Sequence, residues 1–205
     1  MELTAVNQYF GNLDIYLLDQ ILKKRFHPTM KVLDAGCGEG RNLMYFLRAG
    51  YTVDGIDKDP LAISAVQFIA ASMRPDLEKS HFQTGLLEKM PFPDHSFDLI
   101  ICSAVLHFAE NEAHFYDMFD ELIRCLNQGG ILFVRMASDI GIENRIKSIG
   151  AGRYWLPDGT ERFLLNRKIL DHLNQQHLLR HIEPLKTVNV NDTRCMSTLV
   201  LSIER

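Results

Sequence analysis

Residues Val32-Leu33-Asp34-Ala35 run directly into Gly36-Cys37-Gly38-Glu39-Gly40, which places glycine at every second position of a loop. The loop follows an apolar strand and precedes Leu43, Met44, Phe46 and Leu47 at helical spacing. Glycines there permit a sharp turn and a close approach of backbone to ligand. A strand, a glycine loop and a helix in succession open a parallel α/β layer, because a parallel strand reaches its neighbour only through a crossover. The rest of the chain repeats the alternation. Strands are predicted at 31–35, 52–56, 81–83, 97–102 and 131–136, and helices at 15–26, 41–49 and 60–74. A further helix carries Phe115, Met118, Phe119, Leu122, Ile123 and Leu126, and another begins at Asn166. Two strand-like segments, 179–190 and 196–203, close the chain with no helix between them and predict a hairpin.

No linker or internal repeat interrupts this pattern, so residues 1–205 are expected to form one domain with a helical cap over 1–30. About 30 mostly polar residues at 137–165 form an insertion whose length marks it as functional. The 22 Lys and Arg against 26 Asp and Glu give a net charge of -4, and no basic run stands out, which argues against nucleic acid as partner. Cys37, Cys102, Cys125 and Cys195 form no C-x-x-C pair, so no metal site is expected. His177 and His181 are four apart but lack a third ligand in the sequence pattern. Without a basic, apolar leader or a membrane-length apolar run, the chain is expected to be cytoplasmic.

The G-x-G-x-G loop resembles the G-x-G-x-x-G of dinucleotide binders, but Asp34 separates the two chemistries. Its carboxylate would repel a pyrophosphate and attract an ammonium or sulfonium. Asp57 ends the second strand, 17 residues after Gly40, where a carboxylate can accept from two ribose hydroxyls. As a plain helix cap it would be redundant, since Asp59 precedes Pro60.

From Lys31 to Ala137 the sequence resembles the class I S-adenosylmethionine-dependent methyltransferases. The glycine loop, Gly55-Ile56-Asp57, Met90-Pro91-Phe92-Pro93-Asp94-His95-Ser96-Phe97-Asp98, Val105-Leu106-His107-Phe108 and Leu126-Asn127-Gln128-Gly129-Gly130 carry the likeness in order. The run Gly38-Glu39-Gly40-Arg41-Asn42 with Gly50 to Lys58 is also similar to tellurite-resistance-type members. The resemblance implies a Rossmann-like doubly wound sheet, mostly parallel, with an antiparallel C-terminal hairpin strand. It implies S-adenosylmethionine as cofactor, with Asp34, Gly36 and Gly38 at the methionine moiety, Asp57 at the ribose and Lys58 beside the adenine. Cys37, Arg41 and Asn42 join them as loop candidates. Where the family commonly has Gly-Asp after the third strand, this chain has Gly85-Leu86, so the backbone of Leu86 or Leu87 is expected at the adenine. Cys102 and Ser103 would receive the methionine amino group, and Leu106 would lie near the methylthio end.

Methyl transfer needs alignment more than acid–base help, because the sulfonium already activates the carbon. His107, after the fourth strand, is the candidate general base, with a packing histidine as the alternative. Arg135, Arg153, Tyr154 and Trp155, with Tyr9 and Phe10, are candidates for a small-molecule acceptor pocket. Two other functions compete with methyl transfer: a non-catalytic S-adenosylmethionine-binding protein and an NAD(P)-dependent oxidoreductase. The glycine spacing, Asp34 and the closing hairpin count against the latter.

Overall fold

The strand that leads into the glycine loop, β1 (Lys31–Ala35), is buried along nearly its whole length in the middle of a mixed sheet. In the computed structural model, which describes residues 3–203, its parallel neighbours are β2 (Thr52–Asp57) and β4 (Phe97–Ser103). β3 (Phe82–Thr84) extends the sheet beyond β2, and β5 (Leu126–Ser138) extends it beyond β4. β11 (Arg194–Ile203) joins β5 antiparallel and carries β10 (Lys186–Val190) and the short β9 (Leu179–His181) on its outer edge. The order β10-β11-β5-β4-β1-β2-β3 is the α/β arrangement predicted from the sequence, parallel except for its C-terminal strands. The strand expected at 179–190 is divided, because Pro184 has no N–H to continue the ladder after Ile182 donates to the Val200 carbonyl.

Alternation along the strands sorts side chains into two apolar layers. Val32, Val53, Leu99, Ile101 and Phe133 pack with Leu17 of α2 (Ile15–Leu22), Phe46 of α3 (Met44–Arg48), and Ile63 and Val66 of α4 (Pro60–Met73). Leu33, Ile100, Leu132 and Val134 pack on the other face with Phe115, Phe119 and Leu122 of α5 (Glu112–Cys125) and Ile169 and Leu173 of α6 (Arg167–His177). Each such burial contributes about 1.5–3 kcal/mol relative to exposure. Asp14, Asp59, Asn111 and Asn166 each accept one backbone N–H at the start of α2, α4, α5 and α6.

Three boundaries differ from expectation. The helix predicted at 15–26 ends at Leu22, because Lys24 adopts a left-handed conformation with φ 56°. That predicted at 41–49 is reduced to Met44–Arg48, the preceding residues being taken up by turns in which Gly40 donates to the Cys37 carbonyl and Leu43 to the Gly40 carbonyl. The turn expected at 127–130 bulges out of β5 itself: Phe97 pairs with Leu126, and the next pair is Leu99 with Ile131.

The insertion at 137–165 folds into its own antiparallel sheet of β6 (Lys147–Gly150), β7 (Arg153–Trp155) and β8 (Glu161–Phe163). Phe163 stacks on Phe115 with ring centroids 4.9 Å apart, which docks this sheet against α5. At the other end of the chain, Tyr9 and Phe10 of α1 (Leu3–Phe10) pack on Tyr45 of α3. No helix among the described residues is long and apolar enough to cross a membrane.

Candidate functional site

The glycine loop is anchored to β2 by three backbone donors. Gly36 and Cys37 both donate to the Ile56 carbonyl, at 2.8 and 3.0 Å. Gly38 donates to Asp57 Oδ2 at 2.8 Å, while Asp57 Oδ1 accepts the Asp59 N–H at 3.0 Å. Asp57 therefore ties the loop to the start of α4. Gly36 has φ 80°, and a Cβ there would lie 2.3 Å from Val105 Cγ2, so only glycine fits.

Asp34 lies behind this loop, 1% exposed, and neither carboxylate oxygen has a hydrogen-bond partner among the described residues. Burial pushes its pKa up to about 7; the Arg41 charge opposes the shift and the Asp57 charge adds to it. An unpartnered buried carboxylate is costly, and a cation brought close to it would relieve that cost.

A cavity of about 340 Å³ opens beside the loop at the carboxyl ends of the strands. Of the predicted cofactor residues, Gly36, Asp57, Lys58, Leu86, Leu87 and Ser103 line it. Cys37 and Cys102 are buried beneath, and all four cysteines are free. Leu106 requires a correction: its side chain is fully buried in the core, and Val105 and Phe108 form the wall in its place. The 3-10 turn Leu106–Phe108 buries the consecutive side chains of Leu106 and His107 and leaves Phe108 exposed, which the sequence run alone did not reveal. Glu88, Glu110 and His114 also line this cavity without having been singled out. Their positions depend on how the loop after β3 meets α5, and no local motif signals that.

Arg41 and Asn42 converge instead on Asp14, which is 3% exposed. Asn42 Oδ1 accepts the Asp14 N–H at 3.2 Å, and the Arg41 guanidinium lies 3.8 Å from Asp14 Oδ2. The same Oδ2 accepts from Ser103 Oγ at 3.3 Å and from Arg135 at 3.1 Å. Asp14, unmarked in the sequence reading, joins the N-terminal cap to the glycine loop, β4 and β5.

A second cavity of about 310 Å³ is lined by Ala104, His107 and Arg135, by Leu156, Asp158, Thr160 and Arg162 of the insertion, and by Arg194 and Met196 of β11. Ala104, held at φ 65° just beyond β4, borders both cavities. His107 Nδ1 accepts the Ala137 N–H at 3.3 Å, which leaves the proton of the neutral ring on Nε2. Burial, with the Arg162 and Arg194 charges, pushes its pKa down to about 4. A ring with that tautomer and that pKa is a hydrogen-bond donor, which runs against its expected role as general base.

The other acceptor candidates lie elsewhere. Tyr9 and Phe10 pack on Tyr45, Arg153 pairs with Glu161 at 2.9 Å, Tyr154 packs beside Leu156, and Trp155 is 46% exposed. None of the five lines either cavity. The insertion reaches the second cavity through the turn after β7 and through Arg162 of β8 rather than through β7 itself.

A model of the methyltransferase domain matches residues 33–134. An uncharacterized methyltransferase of Synechocystis sp. is 32% identical over 104 residues, covering 51% of this chain and 45% of that protein. The chain spans less than half the length of the first curated relatives it matches. Two solved structures share the fold. A SAM-dependent methyltransferase of Methanosarcina mazei superimposes with a TM-score of 0.71 at 19% identity, over 90% of this chain and 98% of that one. The PH0226 protein of Pyrococcus horikoshii gives 0.73 at 18% identity, over 93% and 89%. The residues present fit the methyl donor that this family uses: the unpartnered Asp34 carboxylate suits its cationic end, and Gly36, Asp57 and Lys58 line the cavity beside the loop. The chain belongs to the class I S-adenosylmethionine-dependent methyltransferases.

Proposed function

We propose that this protein transfers a methyl group from S-adenosylmethionine in the first cavity to a small molecule in the second. The observation that carries this reading is Ala104, which borders both cavities and so brings donor and acceptor sites side by side at the end of β4. When bound, the cofactor supplies a methyl carbon activated by its sulfonium. The protein's part is to hold and align. Asp57 and Lys58 hold the ribose and adenine end, with the Leu86 and Leu87 backbone; Asp34, Gly36, Gly38 and Ser103 hold the methionine end, where Asp34 balances positive charge. Cys37, Cys102, Arg41 and Asn42 support that end from beneath and beside it. His107 positions the acceptor as a donor from Nε2, and alignment rather than proton removal supplies the rate. The size of the second cavity, about 310 Å³, and the net charge of -4 both favour a small-molecule acceptor over nucleic acid. Four reduced cysteines and this cofactor suit a cytoplasmic setting.

Calorimetry with S-adenosylmethionine, S-adenosylhomocysteine and NADH tests the donor half. Binding of both sulfur ligands without NADH is expected, and NADH binding alone overturns it. Formation of S-adenosylhomocysteine on incubation with pooled metabolites tests transfer itself.

A further inference from the structure

Three arginines from separate elements meet at the second cavity: Arg135 from β5, Arg162 from β8 and Arg194 from the start of β11. Only one carboxylate, Asp158, lines it with them, and Asp158 Oδ1 is occupied by the backbone N–H and hydroxyl of Thr160, at 3.0 and 2.6 Å. Asp158 Oδ2 is 3.9 Å from Arg194, too far for a hydrogen bond. Arg162 lies over the Phe108 ring at 4.9 Å and donates to its neighbour's carbonyl, so its guanidinium is oriented without a carboxylate partner among the described residues. Arg135 is held by Asp14 and by the Tyr16 ring at 5.2 Å, yet its Nε is buried and unpartnered. Positive charge thus exceeds negative charge in a partly enclosed space whose remaining wall includes Leu156, Val190 and Met196.

We propose that the acceptor carries an oxyanion, a carboxylate or phosphate, that is held by Arg135, Arg162 and Arg194 while its apolar body lies against Leu156, Val190 and Met196. Guanidinium groups match both oxyanions with paired donors, and the Phe108 ring under Arg162, 4.9 Å away, gives its guanidinium a face to stack on. His107, which lines the same cavity, adds no further charge, because burial first and then the Arg162 and Arg194 charges keep its ring neutral. This rests on the second cavity being the acceptor site, and deepens that reading by naming the acceptor's charge.

The probes are benzoate, phenyl phosphate and the uncharged isostere benzamide, titrated into the protein with and without saturating S-adenosylhomocysteine. One or both anions should bind at least about tenfold more tightly than benzamide, since charge-assisted hydrogen bonds are lost with the charge; the tighter of the two assigns carboxylate or phosphate. Arg194→Gln, at a side chain 55% exposed and therefore tolerant of change, should weaken the anion by about tenfold and leave S-adenosylhomocysteine affinity within about twofold. Arg162→Gln should act in the same direction. Equal binding of benzamide and the anions, absence of anion binding, or anion affinity unaltered in both variants overturns the proposal. Loss of S-adenosylhomocysteine binding with anion binding intact would instead overturn the donor reading of the first cavity, so the two fail separately.

Discussion

His107 takes the Ala137 backbone N–H on Nδ1 at 3.3 Å, and this one contact decides what the ring can do. With Nδ1 engaged and Nε2 protonated, the ring has no lone pair free for a substrate proton. Its depressed pKa, about 4 against an ordinary 6.5, also has a consequence for stability. The unfolded chain takes up the proton first as pH falls, so the contribution is complete above pH 6.5 and is lost as pH drops towards 4. The full difference is roughly 3 kcal/mol. Urea unfolding of the wild type and of His107→Gln, which keeps an acceptor for Ala137, should give a difference that shrinks between pH 6.5 and 4. A constant difference across that range would show that the ring titrates normally in the folded state.

Asp34 has the opposite sign. Its folded pKa of about 7 lies above the unfolded value near 3.8, so the empty protein loses stability as pH rises from 4 through 7, by roughly 4 kcal/mol in full. Asp34→Asn should therefore raise the melting temperature of the ligand-free protein at pH 8 while weakening S-adenosylmethionine. In the wild type, cofactor binding should release close to one proton at pH 6 and almost none at pH 8, since the cation returns Asp34 to its ionised form. Calorimetry in buffers of differing ionisation enthalpy measures that count, and proton uptake at pH 6 would contradict the assigned charge.

Asp57 does two jobs with one carboxylate, accepting Gly38 N–H on one oxygen and Asp59 N–H on the other. Asp57→Ala should weaken S-adenosylmethionine by about 1–3 kcal/mol, roughly fivefold to 150-fold in affinity. Asp57→Asn keeps one acceptor oxygen, so it should fall between wild type and Ala. Equal affinities for all three proteins would remove Asp57 from the binding site.

What the sequence made legible follows from how local each cause is. Asp34, Gly36 and Asp57 were readable because an acid just before a glycine loop, a turn needing φ 80° and an acid at the end of a strand each leave a signature within a few residues. The second cavity was not, because Arg135, Arg162 and Arg194 come together only through the pairing of β11 with β5 and the docking of Phe163 on Phe115. Polarity and aromatic content pointed to Arg153, Tyr154 and Trp155 within the insertion. Arg153, however, is paired with Glu161 across the β7–β8 ladder, and the turn that follows supplies the wall together with Arg162 of β8. Asp14 was invisible for the same reason: a cap residue in sequence, it gains its arginine and serine partners only when α2 lies over the strand ends.

That convergence gives a last expectation. Asp14 Oδ1 caps α2 by accepting the Tyr16 N–H at 2.9 Å, while Oδ2 holds Arg135 and Ser103. Asp14→Asn preserves a cap acceptor and removes the charge, whereas Asp14→Ala removes both. Loss of a buried charge partner costs about 3–5 kcal/mol, and Arg135, which keeps 21% of its side-chain surface, should sit below that range because water reaches part of it. Loss of the cap costs about 1 kcal/mol more. Stability should therefore fall in the order wild type, Asn, Ala, by urea unfolding at pH 7. The same Asn variant removes a negative charge beside the second cavity, so benzoate affinity should hold or rise as stability falls. A variant that loses both together would mean that Asp14 positions Arg135 for the anion, and that the latch and the pocket are one structure.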